Sequence, residues 1–256
     1  ATTAIYNTAI GSQALTALNN NTADNNTAVG YGCGAGITGG YSNTAMGSQA
    51  LLAAAGNSNV AVGRLTLQAF TGSNATAVGS YAADAAGSQT DLTAIGYGAL
   101  GAATSGNSNT AVGAYSLDGT ISGASNTAVG YGSLSSACAS DNTALGSTAL
   151  LAFTGSNATA VGSGAMSNLT TGLQNTAVGY NTLKYSKSND YNTVMGYGAG
   201  YYTNSLSDSN TYIGHLTAFY KGSGAHNVAV GRYALMGATS AFSCVTHSST
   251  TVEPAS

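Results

Sequence analysis

The sequence has no tryptophan, a single proline at Pro254, three cysteines and only 5% charged residues over 256 positions. Each shortage removes a class of protein. An ordinary globular chain carries roughly 25% charge, whereas a disordered one is rich in charge and poor in apolar residues. This chain is 43% apolar and nearly uncharged, so disorder is disfavoured. Its five basic residues, Arg64, Lys184, Lys187, Lys221 and Arg232, are scattered, and the net charge is −3. No basic stripe can neutralise a phosphate backbone, so nucleic acid is not an expected partner. No apolar run reaches the length of a membrane span, and no charged start leads into an apolar stretch, so the chain reads as soluble, without membrane insertion.

Catalytic and metal-binding groups are equally scarce. Cys33, Cys138 and Cys244 are an odd number without a CxxC pair, which implies neither a zinc site nor a dense disulfide framework. They read as small buried apolar residues, with one unpaired thiol left open as a link between chains. His215, His226 and His247 are confined to the end of the chain at spacings that fit no metal motif. The eight acidic residues are spread thinly, and no calcium-loop pattern occurs. The expectation is a non-enzymatic protein with no cofactor and no metal.

What the chain has in abundance is repetition. The twelve residues AFTGSNATAVGS occur at 69–80 and again at 152–163. Alignment on one glycine gives Gly11, Gly30, Gly47, Gly63, Gly79, Gly96, Gly113, Gly130, Gly146, Gly162, Gly179, Gly196, Gly214 and Gly231, fourteen units mostly 16–18 residues apart. The unit reads N-T-A-[VI]-G-[YS]-x-[AS]-L. The residue before the glycine is apolar in all fourteen copies; two before it stands Ala in twelve, and three before it Thr in twelve, with Val60 and Val228 as the exceptions. Gly, Asn, Ser and Thr interrupt the pattern too often for helices. A period of this length fits one coil of an all-β solenoid, each coil holding two or three short strands that stack on the next at about 4.8 Å. Residues 1–236 are the repeat domain. Residues 237–256 leave the pattern and read as a cap or an extended arm.

Side chains alternate along a strand, so the apolar position shares a face with Thr, and Ala shares the other with Gly. Burying the bulkier row places Val29, Val62, Val78, Ile95, Val112, Val129, Val161, Val178, Ile213 and Val230 in the core, together with the Thr row, whose hydroxyls would bond one another or backbone carbonyls. Leu51, Leu67, Leu100, Leu134, Leu150 and Leu183, four after the glycine, fill the core from the facing side. Asn at the start of the unit suits a turn stabilised by its own backbone. The small residues then face outward: Ala28 and Gly30, Ala61 and Gly63, Ala77 and Gly79, Ala111 and Gly113, Ala128 and Gly130, Ala177 and Gly179. Such a stripe invites close approach of another backbone, and the expected partner is the chain itself, as a homotrimer.

The stretches NTAVGYGSL (126–134) and NTAVGYNTL (175–183) resemble the head repeats of YadA-type trimeric autotransporter adhesins, and still more the NTAVGY-type repeats of phage tail-fibre and related surface-fibre proteins. The likeness runs over about residues 5–236. It implies a left-handed parallel β-roll of about fourteen 16–18-residue coils, three chains packing side by side. The units are longer than the adhesin coil, which calls for longer turns, and no run reads as the coiled-coil stalk or anchor of that family.

Tyrosine is frequent, with sixteen copies, and Tyr31, Tyr97, Tyr131, Tyr180 and Tyr197 each follow a repeat glycine. They would form a broken outer ladder, either ordinary stacking or a surface for contact with a host glycan or protein. The leading expectation is an extracellular structural or adhesive fibre protein, the shaft or head of a surface fibre that could extend end to end as a filament. A virion tail-fibre segment that binds a receptor is the alternative. Ice binding is a third, which requires an outward, regular Thr array; the inward placement of Thr argues against it. An enzyme ranks last.

Overall fold

The computed structural model describes residues 5–18, 23–119, 122–203, 208–222 and 224–237. The C-terminal cap expected at 237–256 lies outside the described residues apart from Gly237, as do Cys244 and His247. The chain is all-β: fourteen three-residue parallel strands stacked as a β-solenoid, with no helix among the described residues. It divides into two compact units, Ala1–Ala128 and Val129–Ser256. The first unit contains β1 (Thr8–Ile10), β2 (Thr27–Val29), β3 (Thr44–Met46), β4 (Val60–Val62), β5 (Thr76–Val78), β6 (Thr93–Ile95) and β7 (Thr110–Val112). The second contains β9 (Thr143–Leu145), β10 (Thr159–Val161), β11 (Thr176–Val178), β12 (Thr193–Met195), β13 (Thr211–Ile213) and β14 (Val228–Val230), while β8 (Thr127–Val129) lies on the division. Pairing is in perfect repeat register: Thr27 stands beside Thr44 and Ala28 beside Ala45, and in the second unit Thr159 stands beside Thr176.

Among the described residues each coil holds one strand, not two or three. After the repeat glycine the backbone takes a different course, with left-handed φ at every second residue, as at Gln49 (57°) and Leu51 (51°). Its N–H groups consequently reach both neighbouring coils: Gln49 donates back to Tyr31 O (2.8 Å), and Leu51 forward to Thr66 O (2.9 Å). Leucine adopts such a φ rarely and at a cost. Here that cost is offset by burial, because Leu51, Leu67, Leu100, Leu134, Leu150 and Leu183 are all sealed in the core as the sequence indicated.

The strand parity holds, but the face assigned to the core is reversed. Ala28, Ala61, Ala77, Ala111, Ala128 and Ala177 are 0–1% exposed, inside their own coils, and cannot line a seam between chains. Val29, Val62, Val112, Val129, Val161 and Val178 are only half-buried, and Val78, Ile95, Ile213 and Val230 are exposed. The reason is thickness. The strand backs directly onto the Leu row, and the interior is filled from that side: a Cβ placed on Gly34 would lie 2.8 Å from Leu15 Cδ2, 3.1 Å from Ile37 Cδ1 and 3.6 Å from the Ala28 Cβ. One large and one small side chain fill this gap; two large ones do not. In the second unit the roles trade places, with Val194 and Tyr212 buried at the Ala position and Gly200 and Ala218 replacing Leu.

The repeat glycines are small for a reason within the chain. Gly30 has φ +135° and a Cβ on it would meet Gly47 O at 2.7 Å; at Gly79 the corresponding distance to Gly96 O is 2.5 Å. Gly63, Gly113, Gly130 and Gly179 repeat this conformation and are half-buried. At Gly30, Gly63, Gly79, Gly130 and Gly179 the seam assigned to them is therefore occupied by the next coil.

Asparagine bonds its own turn in some coils, as Asn109 Nδ2 to Gly106 O (3.1 Å) and Asn192 Nδ2 to Asp190 O (3.0 Å), and it also acts between coils. Asn26, Asn43 and Asn59 are buried in a ladder in which Asn43 N donates to Asn26 Oδ1 (3.0 Å) and Asn59 N to Asn43 Oδ1 (3.0 Å). The amides donate onward, Asn26 Nδ2 to Gly40 O and Asn43 Nδ2 to Gly56 O, both at 2.9 Å. The second unit repeats it through Asn175, Asn192, Asn210 and Asn227. The left-handed residue is the one before the Asn, as at Asn25 (φ 58°) and Ser42 (57°).

Candidate functional site

The reversed strand gives each unit an outward face made of two straight rows. In the first unit the rows are Thr8, Thr27, Thr44, Val60, Thr76, Thr93, Thr110 and Ile10, Val29, Met46, Val62, Val78, Ile95, Val112. In the second they are Thr143, Thr159, Thr176, Thr193, Thr211, Val228 and Leu145, Val161, Val178, Met195, Ile213, Val230. Strand geometry sets the grid at about 4.8 Å between coils and about 6.6 Å along each strand. Backbone polar groups at this face are consumed by stacking: Thr27 N donates to Asn43 O and Gly30 N to Ile10 O, both at 2.8 Å. What remains for a partner is a lattice of methyls and hydroxyls without a charge. Among the described residues, none of the row's Thr hydroxyls bonds to another protein group, and the expected inward hydroxyl ladder does not form; the hydroxyls that do serve the core are those of Thr66, Thr182 and Thr217, bonded to repeat-glycine carbonyls. β-Branching restricts χ1 of most of these side chains, so the lattice is stiff before any partner arrives.

Tyr31, Tyr97, Tyr131, Tyr180 and Tyr197 are exposed along the border of this face, as expected for an outer ladder. In the first unit Arg64, Tyr81, Tyr97 and Tyr115 follow one another, with the guanidinium 5.2 Å from the Tyr81 ring and the Tyr97–Tyr115 centroids 5.4 Å apart. In the second unit Tyr180, Tyr197 and His215 stack at 5.3 Å steps, and Arg232 lies over Tyr233. A second aromatic cluster, which the sequence reading did not separate from the first, joins Tyr185, Tyr202 and Tyr220 in a near-parallel stack, with Lys184 over Tyr185 and Tyr201. Only the concentration of tyrosine after residue 180 signalled it.

The remaining polar groups do not converge. No group of three or more His, Cys, Asp or Glu that could hold a metal occurs among the described residues. Cys33 and Cys138 are buried free thiols, and burial pushes the Cys33 thiol up. Asp84 and Asp118 flank Gly101; burial raises both, and the charge of Asp84 raises Asp118 further. Lys221 is buried in the second unit, which lowers its pKa, and the enclosed phenol of Tyr212 is pushed up for the same reason. No helix among the described residues is long and apolar enough to cross a membrane. No protein-family model matches the chain, and no curated protein matches it significantly.

Proposed function

We propose that the protein binds ice through the outward Thr and apolar rows of its strands. The observation that carries this reading is the Thr row itself, facing outward in register, half-buried or exposed from coil to coil and with its hydroxyls unpaired, beside a second row that is apolar in every coil. An ice surface offers water oxygens at fixed intervals, and the inter-coil step is close to the spacing of those oxygens along the a axis of hexagonal ice. Hydroxyls at that step can join the lattice while the methyls between them order the adjoining water. A charged side chain would hold its own hydration shell against that order, and the rows contain none. Because the array is stiff, little side-chain freedom is lost on contact. The test is thermal hysteresis with purified protein, together with the habit of crystals grown in it. Faceted crystals and a gap between melting and freezing are expected; round crystals and no gap would refute the reading.

The β-solenoid fold is compatible with a structural repeat protein, and an extracellular fibre is the second reading, supported by the exposed apolar side chains of Met46, Leu145 and Met195. In that reading the Thr and apolar face packs against further copies of the chain, as a trimer or a filament, on a cell or a virion, and the Tyr border meets a host glycan or protein. Sedimentation separates the two: ice binding needs a monomer with a bare face, the fibre a stable oligomer at micromolar concentration.

A further inference from the structure

We infer that, in the first unit, ice is held by the four-coil block β4–β7, and that Met46 is the residue that interrupts the face. The inference rests on the ice-binding reading and locates its site. From β4 to β7 both rows are β-branched without exception: Val60 and Val62, Thr76 and Val78, Thr93 and Ile95, Thr110 and Val112. Every one of these side chains has a fixed branch at Cβ and ends close to the sheet. In β3 the second row carries Met46, which is 46% exposed. Its unbranched thioether has three rotatable bonds and no preferred orientation toward solvent. A rigid lattice meeting the sheet must either freeze that chain or stand off from it. Beyond Met46 only β1 and β2 continue the β-branched pattern.

The second unit is more broken. Leu145 in β9 and Met195 in β12 are both exposed and unbranched at Cβ. They leave the pairs β10–β11 and β13–β14, two coils each, with Val228 and Val230 lacking a hydroxyl in the last. The Thr row itself shows which feature the face retains. Its two departures, Val60 and Val228, keep the branch and lose the hydroxyl, and serine, which would do the reverse, never occurs there. Continuity of branched side chains, and not the count of hydroxyls, therefore sets the competent area.

Thermal hysteresis of the full chain at equal molar concentration tests this with three outward substitutions, folding being checked by circular dichroism. Met46→Val joins β1–β2 to β4–β7 and should raise activity by about 1.5- to 2-fold if contact adds over the joined area. Thr93→Tyr, in the middle of the block, should abolish most of the activity, and Thr176→Tyr, in the two-coil β10–β11 patch, should remove a small fraction. Equal losses from the two tyrosine variants, or no gain from Met46→Val, would overturn the assignment while leaving ice binding in place. A wild-type chain without hysteresis would overturn both.

Discussion

Exchanging the sizes of two neighbouring residues, Ala111 and Val112, tests which face of the sheet is inside. Ala111 is fully buried, with Leu100 and Leu117 also sealed within the same unit, while Val112 is only half-buried. Ala111→Leu adds three carbons on the inward side of a strand whose unit already buries Leu100 and Leu117. Overpacking of this kind costs typically about 1–3 kcal/mol. Val112→Ala removes two methyls from the outward side, for about 0.5 kcal/mol as at other solvent-facing positions. At about 2–4 °C per kcal/mol for a chain of this size, the first should lower the melting temperature by roughly 2–12 °C and the second by about 1–2 °C. Differential scanning calorimetry on both variants, with wild type, is the measurement. Were Val, and not Ala, in the core, the order would invert, Val112→Ala costing the cavity penalty and Ala111→Leu being nearly neutral. A larger loss from Val112→Ala than from Ala111→Leu would refute the packing described.

Two further substitutions address the polar groups. Asn43→Ala deletes the Nδ2 bonds to Asn26 and Gly56 and leaves the Asn59 N–H without its acceptor in a buried position; at about 1 kcal/mol for each bond, denaturant titration should show a loss of about 3 kcal/mol, and a loss below about 0.5 kcal/mol would mean the ladder is not what ties the coils together. Asp118→Asn removes one of two carboxyls that hold their protons more tightly in the folded chain than in the unfolded one. Stability that depends on those protons is complete below the ordinary carboxylate range and is lost as pH rises through the raised native values. Wild type should therefore lose stability as pH rises above the ordinary carboxylate range in a series of urea melts, and Asp118→Asn should flatten that slope by removing its own share; an unchanged or steeper slope would refute it.

Period, strand position and parity were all legible in the sequence, because each depends only on spacing. The side of the sheet that faces inward was not, since alternation defines two sets of residues without saying which is enclosed, and hydropathy favours Val over Ala. Interior width decides it, and width depends on where Leu51 and its equivalents come from. Those leucines were identified as core, yet their left-handed φ could not be anticipated from a residue type that normally avoids it. Asn43 was read as a local turn former because its nearest polar groups in sequence are its own backbone, whereas its partners are 13 to 17 residues away. An outward Thr array is the requirement for ice binding, and whether the Thr row faces outward depends on the same interior width that alternation alone does not reveal.

The glycine column, finally, acts as a ruler on descent. Within each unit, with repeat glycines such as Gly30, Gly79 and Gly146 pressed against the carbonyl of the next, a coil can be long or short only in its loops, and the register of the column must be restored before the following strand. Insertions that add a complete turn disturb nothing on either side, whereas most smaller ones drive a side chain into a neighbouring backbone. The twin segments at 69–80 and 152–163, five glycines apart, are what such a molecule leaves behind when it lengthens: whole storeys copied, none split.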